Sequence, residues 1–399
     1  MIPSISNLEA SYSTNVLVLE SSKITQIKIA FLSALPPFRG GISSFSHLLV
    51  KALKGKSLIE AFTFKKQYPD FLFPGESQFS NSQEASFPRI VTSYNPLTYV
   101  QAVRKLKSSK PDVFVVNYWM PFFAPMYAFL ARRFSNSVFK VALIHNLIPH
   151  EERFFDGFLN KLFLKNFDAF VVLSEKVNKD LLFYRPDAIS KVIPHPTYAQ
   201  FGARKDFQLA REYFSIEKDA KVLLFFGLIR DYKGLDILID AMDFLDERYV
   251  LLIAGEIYGD KKKYLKAIKA IKKGKVILHD HFIEDENVSN YFSAADCCVL
   301  PYKSGTQSGI QAIAASFEVP VLVSKNGGLH ESITDGKNGF TLEELNPRSL
   351  SDKIQNIFSG GKLQVVKEEL LVQNDSKLDQ WSRFADDFLH FISLEKCKK

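Results

Sequence analysis

Most of the strongly hydrophobic segments of this chain are short runs that are apolar throughout instead of alternating between apolar and polar residues. Such runs are typical of parallel strands that are buried on both faces of a sheet. Helical patterns separate them, and this alternation predicts an α/β fold with two Rossmann-like, doubly wound parallel sheets. The runs form two sets: 27–33, 112–117, 141–146 and 169–174, followed by 221–227, 250–255, 275–280, 297–301 and 320–324.

The boundary between the two sets is predicted within 193–206, where Pro194 and Pro196 interrupt the chain. We therefore expect an N-terminal domain of residues 1–198 and a C-terminal domain of residues 199–377. The segment 378–396 is predicted to be an amphipathic helix that returns to complete the first domain. Ligands in open α/β sheets bind beyond the carboxyl ends of the strands, so two facing sheets would share one cleft.

Composition and charge narrow the class of protein. A chain of 399 residues with 46% hydrophobic and 24% charged residues suits a globular protein of two domains. The net charge is +7, and eight lysines lie in the segment 259–275. These lysines fit either a solvated helix face or a patch that binds nucleic acid or lipid, but no nucleic-acid motif or aromatic interleaving accompanies them. We expect no nucleic-acid partner.

The cellular location is predicted from the small number of cysteines and from the lack of signal-peptide and membrane-span patterns. Three cysteines cannot build a disulfide framework, which favours a reducing compartment. The first residues lack the basic start and apolar core of a signal peptide, and no run approaches the roughly 20 apolar residues of a membrane span. We expect a cytoplasmic protein.

Two glycine-containing turns are candidates for binding an anion. The first predicted strand leads through Pro36 and Pro37 into Gly40 and Gly41, and a helical pattern follows. A turn of this kind can present main-chain N–H groups at a helix start to a phosphate, although glycine in such turns often serves geometry alone. A second helix start follows the small residues 304–309.

The segment FFGLIRDYKG (225–234) places Arg230 and Lys233 where a helical pattern begins. Cations are locally unfavourable at a helix start, because the helix dipole is positive there. Both side chains could simply point into water, or they could face a strongly anionic ligand. No Asp-x-Asp pair is present to bind a diphosphate through Mg²⁺, so we expect no metal and assign charge neutralisation to these cations and to main-chain amides.

Two further segments allow alternatives. His145 lies where a predicted strand gives way to a loop, and it is either a structural residue or a group presented to a ligand. The segment 153–167 is rich in phenylalanine and leucine and also contains lysines. It is either a core helix of the first domain or an interfacial helix that docks on anionic lipid beside a lipid-linked acceptor, on the inner face of the cell membrane.

Taken in order, several motifs resemble the family 4 glycosyltransferases. In the N-terminal half these are LPPFRGGISSF, LIHNLIPHE and IPHP, and in the C-terminal half GLIRDYKGLDILIDAM, YFSAADCCVLPY and SGTQSGIQAIAASF. The resemblance implies the two-domain GT-B fold. It also implies transfer of a sugar, with retention of anomeric configuration, from a nucleotide diphosphate sugar to a carbohydrate or lipid-linked acceptor in polysaccharide or glycoconjugate synthesis.

The resemblance also implies roles for individual residues. His145 would approach the transferred sugar, and Lys233, assisted by Arg230, would bind the diphosphate. The other donor-binding residues would be Gly40, Gly41, Gly227, Thr306, Gln307, Ser308, Gly309 and Ile310.

The chain departs from the family pattern at two places. Many members have arginine directly after the glycine, where this chain has Leu228, and the Glu-x7-Glu pair that touches donor sugar and ribose falls on Gly305 and Ile313. Two alternatives therefore stay open: an inactive nucleotide-sugar-binding paralogue, and a nucleotide-sugar epimerase on the same scaffold. A dehydrogenase is disfavoured because the dinucleotide fingerprint is absent.

Overall fold

Two parallel sheets, one in each half of the chain, organise the fold. The computed structural model of the protein describes residues 26–69, 77–79, 87–149, 153–196, 198, 200–305, 308–375 and 380–399. Within these residues the sheets have seven and six strands, and every pair of neighbouring strands is parallel. The predicted α/β class with two Rossmann-like sheets is confirmed.

The N-terminal sheet has the strand order β3-β2-β1-β4-β5-β6-β7. Its strands are β1 (Lys28–Leu32), β2 (Leu58–Lys66), β3 (Arg89–Thr92), β4 (Val113–Tyr118), β5 (Phe139–Ile144), β6 (Ala169–Val172) and β7 (Ser190–Val192). The helices between them are α1 (Gly41–Leu53), α2 (Leu97–Ser108), α3 (Ala124–Arg132), α4 (Asp156–Leu164) and α5 (Glu175–Tyr184).

The C-terminal sheet has the order β10-β9-β8-β11-β12-β13. Its strands are β8 (Lys221–Phe226), β9 (Tyr249–Ala254), β10 (Lys275–His279), β11 (Cys297–Leu300), β12 (Val321–Ser324) and β13 (Phe340–Leu342). The helices of this half and of the chain end are α6 (Phe207–Tyr213), α7 (Leu235–Met242), α8 (Lys261–Ala270), α9 (Asp285–Ala294), α10 (Gly309–Ser316), α11 (Pro347–Ile357), α12 (Lys362–Asp375) and α13 (Gln380–Lys398).

The last helix packs on the first sheet. Phe384, Phe388 and Ile392 of α13 are buried in the same hydrophobic cluster as Phe45 of α1 and Val171 of β6. The rings of Phe45 and Phe384 meet edge to face with centroids 5.7 Å apart. The helix thus contacts the N-terminal sheet although it follows the C-terminal half in the sequence.

Both sheets reverse their strand order at a central pair, β1 beside β4 and β8 beside β11. At such a reversal, the loops that leave the two strands diverge and open a crevice at their carboxyl ends. The turns that follow β1 and β8 contain two of the three segments that the sequence predicts to bind an anion, and the third, 304–309, follows β11. Contacts between residues after β1 and residues after β9, described below, show that the two crevices face each other.

Candidate active site

The segment after β8 holds Lys233 in a fixed position. Residues Asp231–Lys233 form a single 3-10 turn, and α7 begins two residues later. Gly234 between them has a φ angle of 68°, and a Cβ added there would lie 2.0 Å from the carbonyl oxygen of Pro301. A side chain at position 234 would therefore clash with the end of β11. Glycine at this position allows the turn that carries Lys233 to pack closely against β11.

Lys233 is a buried cation. Its residue is 8% exposed, and its Nζ lies 5.5 Å from the centre of the Tyr302 ring. Burial and, to a smaller extent, the nearby charge of Arg230 together lower the pKa of Lys233 to about 7. A lysine with this pKa gains most from an anionic ligand, because the ligand restores the charge that burial disfavours.

The start of α10 lies against this lysine. A Cβ added at Gly227 would lie 3.0 Å from Cδ1 of Ile310 and 3.5 Å from Nζ of Lys233. The Ser308 hydroxyl caps the helix by accepting a hydrogen bond of 3.3 Å from the Ile310 amide, and it lies 3.3 Å from the Tyr302 hydroxyl. Three candidate residues, Gly227, Lys233 and Ile310, are thus brought together. Thr306 and Gln307 lie outside the described residues.

Arg230 faces the cleft and does not point away from it. Its guanidinium carbon lies 5.4 Å from the centre of the Tyr258 ring. Burial raises the pKa of Tyr68, which follows β2 in the other half, to about 12, and the charge of Arg230 opposes that rise. Arg230 is therefore within electrostatic range of both halves of the chain.

The glycine turn after β1 forms the opposite side. Gly40 has a φ angle of 102° and precedes α1, and within the described ranges a Cβ added at Gly40 or Gly41 would have no non-neighbouring atom within 4 Å. The Tyr198 hydroxyl donates a hydrogen bond of 3.4 Å to the Gly41 carbonyl. A Cβ added at Gly309 would lie 3.5 Å from the same tyrosine ring. The starts of α1 and α10 therefore meet on the two sides of Tyr198.

His145 lies immediately after β5 and is 3% exposed. Its amide donates a hydrogen bond of 2.8 Å to the Tyr118 carbonyl, and its ring meets the Phe45 ring edge to face with centroids 4.7 Å apart. Burial lowers the pKa of His145 to about 3, with a further contribution from His195. The imidazole is therefore neutral at physiological pH and can offer a hydrogen bond but no positive charge.

Four further residues of this region were not found from the sequence. Arg39 pairs with Glu256 across the cleft at 2.6 Å. His195 lies 3.0 Å from the Tyr198 hydroxyl through Nε2. A cation directly before a glycine turn and an acid directly after a strand are visible in the sequence, but only the fold shows that they meet.

The two positions of the family's glutamate pair have clear structural roles here. A Cβ added at Gly305 would lie 2.6 Å from Leu329, and Gly328 donates a main-chain hydrogen bond to Gly305. Ile313 is 6% exposed and packs in the core of the C-terminal sheet. A glutamate at position 305 would therefore require Leu329 to shift, and a glutamate at position 313 would replace a side chain that is buried in this core.

The described residues contain neither a candidate metal-binding cluster nor a candidate membrane-spanning helix. No cluster of three or more His, Cys, Asp or Glu side chains in the described ranges could hold a metal ion. None of the helices seen in those ranges has the length and hydropathy to cross a membrane.

The sequence of the C-terminal half matches a known family. Residues 206–368 match the family model described as glycosyl transferases group 1. This segment contains Gly227, Arg230, Lys233 and the start of α10, which are the C-terminal side of the cleft.

Curated relatives and solved structures agree with this match. The chain is 28% identical over 204 residues to GDP-mannose:glycolipid 4-beta-D-mannosyltransferase of Xanthomonas campestris, covering 49% of this chain and about half (54%) of that protein. It is 27% identical over 284 residues to lipopolysaccharide 1,2-N-acetylglucosaminetransferase of Salmonella typhimurium, covering 66% of this chain and 68% of that protein. The structure of Anabaena HepE with UDP and glucose is 16% identical, with a TM-score of 0.72 over 92% of this chain and 100% of that chain.

The fold of the chain is therefore GT-B, with two Rossmann-like halves facing a cleft. The family match and the relatives support a glycosyltransferase of the GT-B class.

Proposed function

We propose that this protein is a retaining, family 4 glycosyltransferase that moves a sugar from a nucleotide diphosphate sugar to an acceptor hydroxyl in polysaccharide or glycoconjugate synthesis. The observation that carries the proposal is the buried Lys233, which lies beside Gly227 and the start of α10 and has its pKa lowered to about 7. A buried ammonium beside a second cation is unfavourable unless an anion neutralises it. A diphosphate supplies the negative charge that would neutralise these cations.

The reaction breaks the bond between the anomeric carbon and the diphosphate oxygen, and both electrons leave with the diphosphate. Lys233, Arg230 and the amides near Gly41 and Ser308 stabilise this developing negative charge. The acceptor oxygen forms the new bond to the anomeric carbon, and its proton moves to the departing phosphate. His145 positions the sugar as a neutral hydrogen-bonding group.

The first test is incubation of the protein with a panel of sugar nucleotides, with and without carbohydrate and lipid-linked acceptors. Appearance of a glycosylated product with the nucleoside diphosphate is expected. Lys233→Ala should lower kcat about 100- to 1000-fold, because one preorganised donor to the developing charge is lost. Lys269→Ala, on the exposed face of α8, is the control and should retain activity. Turnover of Lys233→Ala within a few-fold of the natural protein would refute the role of this lysine.

Metal independence is a separate part of the proposal. It is supported by the cations of the site, which can neutralise a diphosphate without Mg²⁺. Activity should therefore persist after treatment with EDTA, and its loss with recovery on addition of Mg²⁺ would contradict this part alone.

Retention is tested by the anomeric configuration of the product. With an α-linked donor, proton NMR of the product should show an α linkage. The Xanthomonas relative is named as a 4-beta-D-mannosyltransferase. A β-linked product from an α-linked donor would make this chain an inverting enzyme.

We also propose peripheral contact with anionic lipid on the inner face of the cell membrane, through residues 153–167. Phe154 and Phe158 are 105% and 70% exposed, while Phe163 of the same segment is fully buried, so the helix has both a core face and an outer apolar face. Lys161 and Lys165 are exposed on the outer side. Apolar rings flanked by cations suit an anionic lipid surface.

Vesicle flotation tests this contact. Binding to phosphatidylcholine vesicles that contain phosphatidylglycerol is expected for the natural protein and should be lost in Phe154→Ser/Phe158→Ser. Phe244→Ser, at an exposed phenylalanine of the C-terminal half, is the control. The lipid proposal fails if the natural protein does not float with anionic vesicles.

A nucleotide-sugar-binding protein without transferase activity is the second candidate. One observation favours it, the occupation of the glutamate-pair positions by Gly305 and by the buried Ile313. The same panel separates the two, since this candidate binds a sugar nucleotide and releases no nucleoside diphosphate with any acceptor.

A further inference from the structure

Arg39 and Glu256 form an ion pair that joins the two halves of the chain. The Nη2 atom of Arg39 lies 2.6 Å from Oε2 of Glu256, and the two side chains are 10% and 11% exposed. Among the residues that the structure describes, no other ion pair links 26–192 to 206–375. Water screens buried charges poorly, so the attraction between these two charges is stronger than in an exposed pair.

Each partner is anchored to its own half. The Arg39 amide donates a hydrogen bond of 3.1 Å to the Gln78 carbonyl. The Glu256 carbonyl accepts a hydrogen bond of 2.9 Å from the Ile229 amide, and the preceding Gly255 amide donates one of 3.0 Å to His279. The pair therefore connects main-chain segments of the two halves. Breaking it should change the relative position of the halves as well as the two side chains.

The surroundings of the pair lead directly to the candidate site. The Arg39 guanidinium carbon lies 4.8 Å from the centre of the Phe282 ring, and the Tyr258 hydroxyl lies 3.4 Å from Oε2 of Glu256. The ring of the same Tyr258 faces Arg230. Arg39 also directly precedes Gly40, so the pair is adjacent to the anion-binding turn on each side of the cleft.

We propose that Arg39 and Glu256 are positioning residues whose ion pair holds the cleft closed, so that the glycine turn after β1 and the Arg230–Lys233 turn act on one ligand. The identity of that ligand as a sugar diphosphate rests on the proposed function. The closure itself does not, because it depends only on a contact between two side chains of this chain.

The test measures the distance between the two halves in solution without any nucleotide. One spin label is placed on the exposed Cys397 of α13 and the other on Lys269→Cys of α8, since Cys297 and Cys298 are buried. Glu256→Gln should give longer and broader distances than the natural residue. Glu343→Gln removes a carboxylate from a surface pair with Lys325 and should leave the distances unchanged. An unchanged distance distribution in Glu256→Gln would overturn the proposal.

A charge swap separates pairing from a general effect on the fold. Arg39→Glu and Glu256→Arg alone should each open the cleft, and the double variant should return the distances toward those of the natural protein. Double-variant distances as long as those of the singles would overturn the pairing. Glu256→Asp keeps the charge on a shorter side chain, should give an intermediate distribution, and serves if the swap does not fold.

A kinetic readout follows once the panel identifies a donor. Glu256→Gln should raise the donor KM at least about tenfold, as for loss of one partner of a buried charge pair, while kcat at saturating donor changes much less. An unchanged KM would overturn the positioning role. A panel without any turnover would refute the proposed function but leave the nucleotide-free distance measurement intact.

Discussion

The burial of Lys233 determines how this residue responds to pH. Its pKa of about 7 means that the free protein loses this charge as the pH rises through 7, well below the range of an exposed lysine. Near pH 7, Lys233 is therefore only partly protonated in the free protein. An anionic ligand binds best to the protonated form and raises the pKa of the lysine on binding.

We predict that affinity for a sugar nucleotide falls as the pH rises from about 6 to 8.5, because the ammonium of Lys233 is lost over this range. Lys233→Arg keeps its charge at every accessible pH and should bind with little pH dependence. Titration calorimetry at several pH values measures both profiles. An affinity of the natural protein that stays constant through this range would show that Lys233 does not contact the donor.

Gly234 gives a second prediction at this scale. Gly234→Ala should lower the free energy of unfolding by about 2 kcal/mol or more, because alanine disfavours a positive φ and its Cβ would meet the Pro301 carbonyl. Gly360 has a similar φ of 64° with no atom within 4 Å of an added Cβ. Gly360→Ala is therefore the control for the backbone term alone. Equal urea midpoints for the two variants would show that the clash with Pro301 is unimportant.

Among the elements, every internal strand of the two described sheets except β2 could be predicted, whereas of their four edge strands only β10 could. The central β4 and β5 are almost entirely buried, so each is a continuous apolar run. The missed strands are β2, β3, β7 and β13, of which the last three lie at sheet edges. β2 ends in the exposed Lys65 and Lys66, and β7 contains a single apolar residue, so neither has the pattern of a buried strand.

The element that gives the clearest stability prediction is α13. Phe388 is fully buried between this helix and the first sheet, so Phe388→Ala should lower the free energy of unfolding by about 3–5 kcal/mol. Leu394→Ala, at a position that is 48% exposed on the same helix, is the control and should cost much less. Urea denaturation measures both. A cost for Phe388→Ala as small as that of the control would mean that the helix does not pack on the sheet in solution.

For the whole molecule, the junction between the halves contains the buried His145 and the partly buried His195. Burial lowers the pKa of His145 to about 3 and that of His195 to about 4. Both groups take up protons more readily in the unfolded chain, whose histidines titrate near 6.5. Their contribution to stability is therefore complete above pH 6.5 and is lost as the pH falls from 6.5 toward 4.

We predict that the urea midpoint of the natural protein decreases between pH 7.5 and pH 5, and that His195→Gln decreases less over the same interval. His390→Gln, on the exposed side of α13, should behave like the natural protein. An equal decrease in the His195 and His390 variants would mean that protonation of His195 does not contribute to acid unfolding.

The sequence was sufficient to propose His145, directly after β5, and Gly40, Gly41 and Lys233, in the segments that lead from β1 and β8 to the next helix. The candidate site was not predictable where it depends on contacts across the cleft. Arg39 and Glu256 are separated by 217 residues, and their meeting requires the packing of both halves. Likewise, the sequence does not show why glycine occupies position 305 of the glutamate pair, whereas the fold shows that a Cβ added there would clash with Leu329.

The return of α13 to the first sheet means that the chain passes between the halves twice, once near Pro194 and once between α12 and α13. Two connections restrict the relative motion of the halves more than a single linker would. They favour rotation of one half against the other about an axis that passes through both connections. A fragment that stops before α13 would expose Phe45 and the apolar face beneath it. Anyone exchanging the C-terminal half with that of a relative should therefore leave this final helix with its own N-terminal sheet.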